Sequence, residues 1–160
     1  MELNEFIGQA KTAIDEKGRT PFPREFRRLL SEEEGKSLIL SFGGNNSLIL
    51  FTLEEYRKFI ARIEARPATP KNDRFRRMFM ANSHHVALDG QNRILLSKSD
   101  IAFAKLEGEV LYVARTGKSV ELWNPSIYNS KYGFNQEEDY TEFDAGFFDD
   151  VSSGGFDENR

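Results

Sequence analysis

The sequence predicts an α+β fold, mainly β, built from two tandem halves. Three observations carry that prediction. A turn motif occurs twice. A strand–turn–strand pattern follows each copy. Segments with helical spacing lie between and after them. The first copy of the turn runs Ala13-Ile14-Asp15-Glu16-Lys17-Gly18-Arg19-Thr20-Pro21-Phe22-Pro23, and the second runs Ala87-Leu88-Asp89-Gly90-Gln91-Asn92-Arg93-Ile94-Leu95-Leu96-Ser97. Asp15 and Asp89 are 74 residues apart, as are Arg19 and Arg93. An internal repeat bounds the architecture before any single element does.

The turn explains its own composition. Gly18 supplies the positive φ of a tight reversal, and Asn92 is the non-glycine residue that best tolerates it. The preceding acid, Asp15 or Asp89, can accept hydrogen bonds from the backbone of the turn, which makes an Asx-type turn. Lys17 and Arg19 are then displayed at the end of a rigid hairpin. A plain β-turn with solvated charges would suffice for one copy; two copies with the same downstream pattern argue against it.

In chain order, Phe6 to Asp15 reads as the first strand, and Pro23 suits a helix start. From Pro23 to Leu30, Phe26, Leu29 and Leu30 share one face, while Arg24 and Arg28, four apart, share another. The run Ser31-Glu32-Glu33-Glu34-Gly35 reads as a solvated loop rather than an acid–base or metal site, since no histidine or cysteine lies nearby. Segments 36–42 and 47–52 read as strands around the turn 43–46. Thr52-Leu53-Glu54-Glu55 reads as a capping box. Leu53, Tyr56, Phe59, Ile60 and Ile63 form an apolar stripe, and Arg66-Pro67-Ala68-Thr69-Pro70 is a stiff linker. A helix over about 73–81 would turn Phe75, Met78 and Phe79 to the core and Arg74, Arg76 and Arg77 outward. That basic face suits phosphates, solvent or a subunit contact.

The second half repeats the pattern. His84-His85 opens a strand; adjacent strand residues point to opposite faces, so the pair cannot chelate one ion. Segment 97–105 is the counterpart of the first short helix, with only Lys98 and Lys105 where half one has Arg24, Arg27 and Arg28. Strands over 109–114 and 119–124 match the first pair with an offset of 72, so that Leu50 corresponds in the repeat to Leu122, Phe51 to Trp123 and Tyr56 to Tyr128. Asn124-Pro125 starts a last helix that reaches about Tyr132. The expected organisation is 6–54 as motif one, 55–82 as a helical connection, 83–126 as motif two, 127–134 as the end of the last helix, and 135–160 as an acidic tail without regular structure.

Composition narrows the class. The net charge is −4 over 160 residues, but 135–160 holds nine acids against one base. The remaining body is basic, with 21 basic against 17 acidic residues. The tail suits a solubilising role or mimicry of DNA. There is no cysteine, so disulfide and thiolate chemistry are excluded. No apolar run spans a bilayer and no signal segment is apparent, which predicts a soluble, cytoplasmic protein. No Ser/His/acid order, phosphate-cradling loop or metal spacing appears. The expectation is a protein that is not an enzyme, with no cofactor, no metal and no small-molecule substrate.

The duplicated Asp-x-Lys-Gly-Arg hairpin resembles the MraZ family, whose chains carry two SpoVT-AbrB-type DNA-binding motifs. The resemblance runs from about Phe6 to Tyr132. Asp15, Lys17, Gly18, Arg19 and Pro23 fit the first motif; Asp89, Arg93, Ile94, Leu95 and Leu96 fit the second. Asn92, Gly90 and Ser97 depart from the family pattern. The resemblance implies a duplicated swapped-hairpin, AbrB-type β-barrel formed from the two halves, with short helices packed outside. It implies a homo-oligomer in the form of a ring, and sequence-specific regulation of transcription through short direct repeats of double-stranded DNA upstream of its own division and cell-wall gene cluster, in the cytoplasm at the nucleoid. A related alternative is an antitoxin-like module that binds DNA and a protein. On this reading Arg19 reads a base, because a guanidinium pairs bidentately with guanine O6 and N7. Lys17 clamps a phosphate or reads a second base, and Arg24 and Arg28 position the backbone. Gln91 and Arg93 are further contacts. Asp15, Gly18, Asp89 and Asn92 hold the turns.

Overall fold

A computed structural model describes residues 4–133 and 142–154. The chain divides into two compact units, Met1–Pro125 and Ser126–Arg160. The first unit carries β1 (Gln9–Ala13), β2 (Arg19–Pro21), α1 (Arg24–Arg27), α2 (Glu32–Gly35), β3 (Leu38–Phe42), β4 (Leu48–Thr52), α3 (Leu53–Glu64), α4 (Pro70–Ala81), β5 (His84–Val86), β6 (Arg93–Leu95), α5 (Lys98–Ala104), β7 (Glu109–Thr116) and β8 (Ser119–Trp123). Helix α6 (Pro125–Tyr132) leads into the second unit, which also holds α7 (Ala145–Ser152).

Six strands form one antiparallel sheet in the order β1-β7-β8-β4-β3-β5, and β2 pairs with β6 as a separate two-stranded ribbon. Among the described residues β1 and β5 are the sheet's edges, and no ladder joins them. The fold is therefore mixed α and β around a mainly antiparallel sheet.

The pairing interleaves the halves. Strand β1 of the first half lies on β7 of the second, and β5 of the second lies on β3 of the first. The repeat offsets convert one ladder into the other: Thr12↔Val110 becomes Val86↔Leu38. The central pairs Leu48↔Leu122 and Leu50↔Val120 of β4–β8 likewise exchange with each other. In the ribbon, Arg19↔Leu95 exchanges with Pro21↔Arg93 about the pair Thr20↔Ile94. The duplication in sequence is thus a pseudo-twofold axis in space.

Burial follows from period. In β3 and β4, Leu38, Leu40, Leu48 and Leu50 join one core with Phe22, Phe26, Ile94, Leu96, Tyr112 and Leu122. Ile49 and Phe51 face the other way, into a second cluster with Ile63 and Phe79. A strand buried on both faces reads as a continuous apolar run, which Leu48-Ile49-Leu50-Phe51 is. The ribbon is fastened to the sheet by the Tyr112 hydroxyl, which donates to Thr20 Oγ1 at 3.1 Å within the core.

Several elements differ from the sequence expectation. The glutamate run is a helix, α2, because Ser31 and Glu34 form a capping box. Thr52 accepts from the Glu55 amide as expected, but the Glu55 carboxylate turns to Lys58 Nζ at 3.4 Å instead of closing the box. Helix α4 begins at Pro70, three residues before the expected start, since Thr69 caps the Asn72 amide. Of its three expected core residues only Phe79 is buried; Phe75 is 49% and Met78 53% exposed. In the tail, where composition predicts no regular structure, α7 forms behind an Asp144 cap whose side chain accepts from the Phe147 amide. Residues 135–141 and 155–160 lie outside the described residues.

Candidate nucleic-acid interface

Each turn is built from one carboxylate. Asp15 Oδ1 accepts from the amides of Lys17 and Arg19, both at 2.9 Å. The backbone closes around it: Gly18 N donates to Asp15 O at 3.0 Å and Asp15 N to Arg19 O at 2.9 Å. The second turn repeats this bond for bond. Asp89 Oδ1 accepts from Gln91 at 2.8 Å and Arg93 at 2.9 Å. Asn92 N donates to Asp89 O and Asp89 N to Arg93 O. Gly18 has φ +89° and Asn92 φ +59°, so both occupy the left-handed region.

The electrostatics match. The Arg19 amide beside Asp15 holds its carboxyl below the ordinary aspartate value against the opposing effect of desolvation; the Lys17 amide and the Arg19 and Arg93 charges add to this lowering. The Arg93 and Gln91 amides do the same for Asp89, with the Arg93 guanidinium contributing further. Hydrogen bonding to the charged form favours it.

The ribbon brings the two turns together. Leu96 N donates to Gly18 O at 2.8 Å, and Phe22 N donates to Asn92 O at 2.9 Å. Thr20 and Ile94 point into the core, with relative exposures of 0% and 1%. Side chains alternate along a strand, so Arg19, Pro21, Arg93 and Leu95 face outward on one side. Arg19 stands opposite Leu95, and Arg93 opposite Pro21. The two arginines are therefore diagonal neighbours, roughly 7–8 Å apart at the backbone.

The copies are not electrically equivalent. Arg93 Nε is fixed on Asp89 Oδ2 at 3.0 Å. Among the described residues the side chains of Arg19 and Lys17 make no hydrogen bond or ion pair. Lys17 and Gln91 are exposed at the two turn tips. Arg24 and Arg28 are exposed at either end of α1, and their side chains make no polar contact among the described residues. Arg27 instead donates to Phe22 O at 3.2 Å.

Sequence reasoning missed two features here. The Asp89–Arg93 pair has the same spacing as Asp15–Arg19, so no local pattern separates a held arginine from a free one. Leu95 fits an apolar run, yet it is 55% exposed between Ile94 at 1% and Leu96 at 2%. A period-two reading of Ile94-Leu95-Leu96 would have found it.

Other chemistry lies elsewhere. His84 Nε2 sits 2.9 Å from Asp100 Oδ2, and Asp100 also caps α5 through the Ser97 amide. Among the described residues no group of three or more His, Cys, Asp or Glu could hold a metal ion. No described helix is long and apolar enough to cross a membrane.

A family profile described as "MraZ protein, putative antitoxin-like" matches residues 6–78, which takes in the first turn and ends within α4. Curated relatives extend the match over both halves. The transcriptional regulator MraZ of Thermoanaerobacter sp. (strain X514) is 32% identical over 91% of this chain and 98% of its own. That of Acetivibrio thermocellus is 35% identical over 80% of this chain and 87% of its own. That of Cytophaga hutchinsonii is 27% identical over 77% and 82%. These relatives are named as regulators of transcription and not as enzymes. An identity that runs through both turns and nearly the whole of a relative's length assigns the chain: it belongs to the MraZ family.

Proposed function

We propose that this chain is a sequence-specific DNA-binding regulator of transcription. It recognises short direct repeats upstream of its own division and cell-wall gene cluster, in the cytoplasm at the nucleoid. The observation that carries this reading is the outward face of the β2–β6 ribbon. It presents an unpaired Arg19 beside Lys17 on a turn whose backbone is fixed by Asp15. The major groove admits a two-stranded ribbon. Arg19 reads a guanine, Lys17 holds a phosphate or a second base, and Arg24 and Arg28 position the backbone. Arg93 and Gln91 contribute secondary contacts from the second turn.

The interleaved ladders support a swapped-hairpin barrel of the AbrB type with the short helices outside it. One ribbon offers few base contacts, so copies of the chain assemble into a ring and engage spaced repeats together. The test is binding to a fluorescent duplex from the chain's own upstream region, with salt titrated. Arg19→Ala loses about 1–3 kcal/mol per base contact and relaxes sequence preference. A Lys17→Ala/Arg19→Ala chain that stays folded and keeps full preference for that duplex over a scrambled one would overturn the assignment.

A second reading, an antitoxin-like module that binds DNA and a protein, has one observation in its favour. Phe42, Phe59, Phe75, Met78, Phe79 and Phe103 line an open apolar hollow of about 320 Å³. Copurification of a small protein partner with the full chain would favour it.

A further inference from the structure

We propose that Leu95 is a specificity-determining residue that contacts the 5-methyl group of a thymine within two steps of the guanine read by Arg19. The inference rests on the reading of the ribbon as the DNA-contacting face. Single exposed leucines are common on protein surfaces; this one is distinguished by its position. Its neighbours Ile94 and Leu96 are buried, and the β2–β6 register turns Leu95 to the outer face, directly opposite Arg19. The pseudo-twofold equivalent of Leu95 is Pro21, also exposed on that face. Each arginine of this face therefore stands opposite an apolar residue, Arg19 opposite Leu95 and Arg93 opposite Pro21.

The major-groove edge of a base pair offers one apolar group, the thymine methyl. Directly opposed residues of an antiparallel pair have side chains about 4.5–5.5 Å apart at Cβ, and successive bases rise about 3.4 Å. A leucine opposite a guanine-reading arginine therefore reaches the base pair one or two steps away. Pro21 has a shorter side chain and reaches less far, so the thymine lies on one side of the guanine. The occupant has defined chemistry: double-stranded DNA with thymine within two steps of a contacted guanine.

The test uses full-length protein and duplexes from its own upstream region, with each thymine replaced in turn by uracil. That exchange removes a methyl and leaves base pairing intact. Wild type is compared with Leu95→Ala and with Leu95→Met, which keeps an apolar side chain; circular dichroism and gel filtration establish that each variant is folded and assembled. The expected result is that one uracil position weakens wild type and Leu95→Met by about fourfold, the factor for one buried methyl. Leu95→Ala binds thymine and uracil duplexes equally. If no uracil position affects wild type, or if Leu95→Ala remains as sensitive as wild type, the proposal is overturned while the DNA-binding reading stands. If wild type does not distinguish the upstream duplex from a scrambled one, the reading beneath it fails as well.

Discussion

Gly18 carries two constraints that Gly90 does not. Its φ is +89°, and a Cβ there would lie 2.5 Å from the Leu96 carbonyl oxygen, across the ribbon. Gly90 has no atom within 4 Å of a built Cβ and no positive φ. Gly18→Ala therefore costs about 1–2 kcal/mol for the left-handed backbone alone, with the clash added, whereas Gly90→Ala stays within about 0.5 kcal/mol; urea unfolding of both variants checks the difference. The aspartates give a second prediction. Their folded-state pKa values are lowered, so the stability they contribute is full above the unfolded value near 3.8 and is lost as pH falls through the folded value. The amide shifts of Lys17, Arg19, Gln91 and Arg93 should stay constant from neutral pH down to about 4 and move only below it. An NMR titration that showed these amides moving near pH 6 would contradict the assigned cause.

Helix α4 shows how far an element can be read from sequence. Spacing alone puts Phe75, Met78 and Phe79 on one face, but α4 meets only a narrow patch of the sheet, and Phe79 alone reaches it. Its ring lies against Phe51, Tyr56 and Phe59, with centroids 5.0–6.2 Å away. Phe79→Ala should cost about 3–5 kcal/mol, while Met78→Ser, at a half-exposed site, stays within about 0.5 kcal/mol. Thermal melts of the two variants would reveal a reversed order. The strands were legible because continuous apolar runs and a repeated turn define them with little ambiguity. The α2 cap was also present in the letters as Ser31-Glu32-Glu33-Glu34, but the acid content of the run obscured it. The candidate site was legible as residue types: an acid, a turn former and an arginine, twice. What spacing could not supply was the pairing of β2 with β6, and hence the meeting of Arg19, Arg93 and Leu95 on one face. That pairing joins residues 76 apart at Arg19↔Leu95.

At the scale of the molecule, four of the six ladders among the described residues cross between the halves: β1–β7, β2–β6, β3–β5 and β4–β8. Only β3–β4 and β7–β8 lie within one half. Neither half can then complete its core alone. A protease site placed in the 66–68 linker should yield two fragments that co-elute in native buffer and part only in denaturant; fragments that separate on cleavage would contradict the interleaved pairing. On the proposed DNA-binding reading, the same pseudo-axis bears on DNA through a place where its two sides differ. A reader with true twofold symmetry looks the same from either end of a duplex and is matched by inverted half-sites. Here one arginine is free and its mate is held by Asp89. Such a ribbon has a head and a tail, so on the proposed reading each subunit would point a definite way along the duplex. On that proposed reading, sites that follow one another in the same sense would suit it, and a palindrome would bring no advantage.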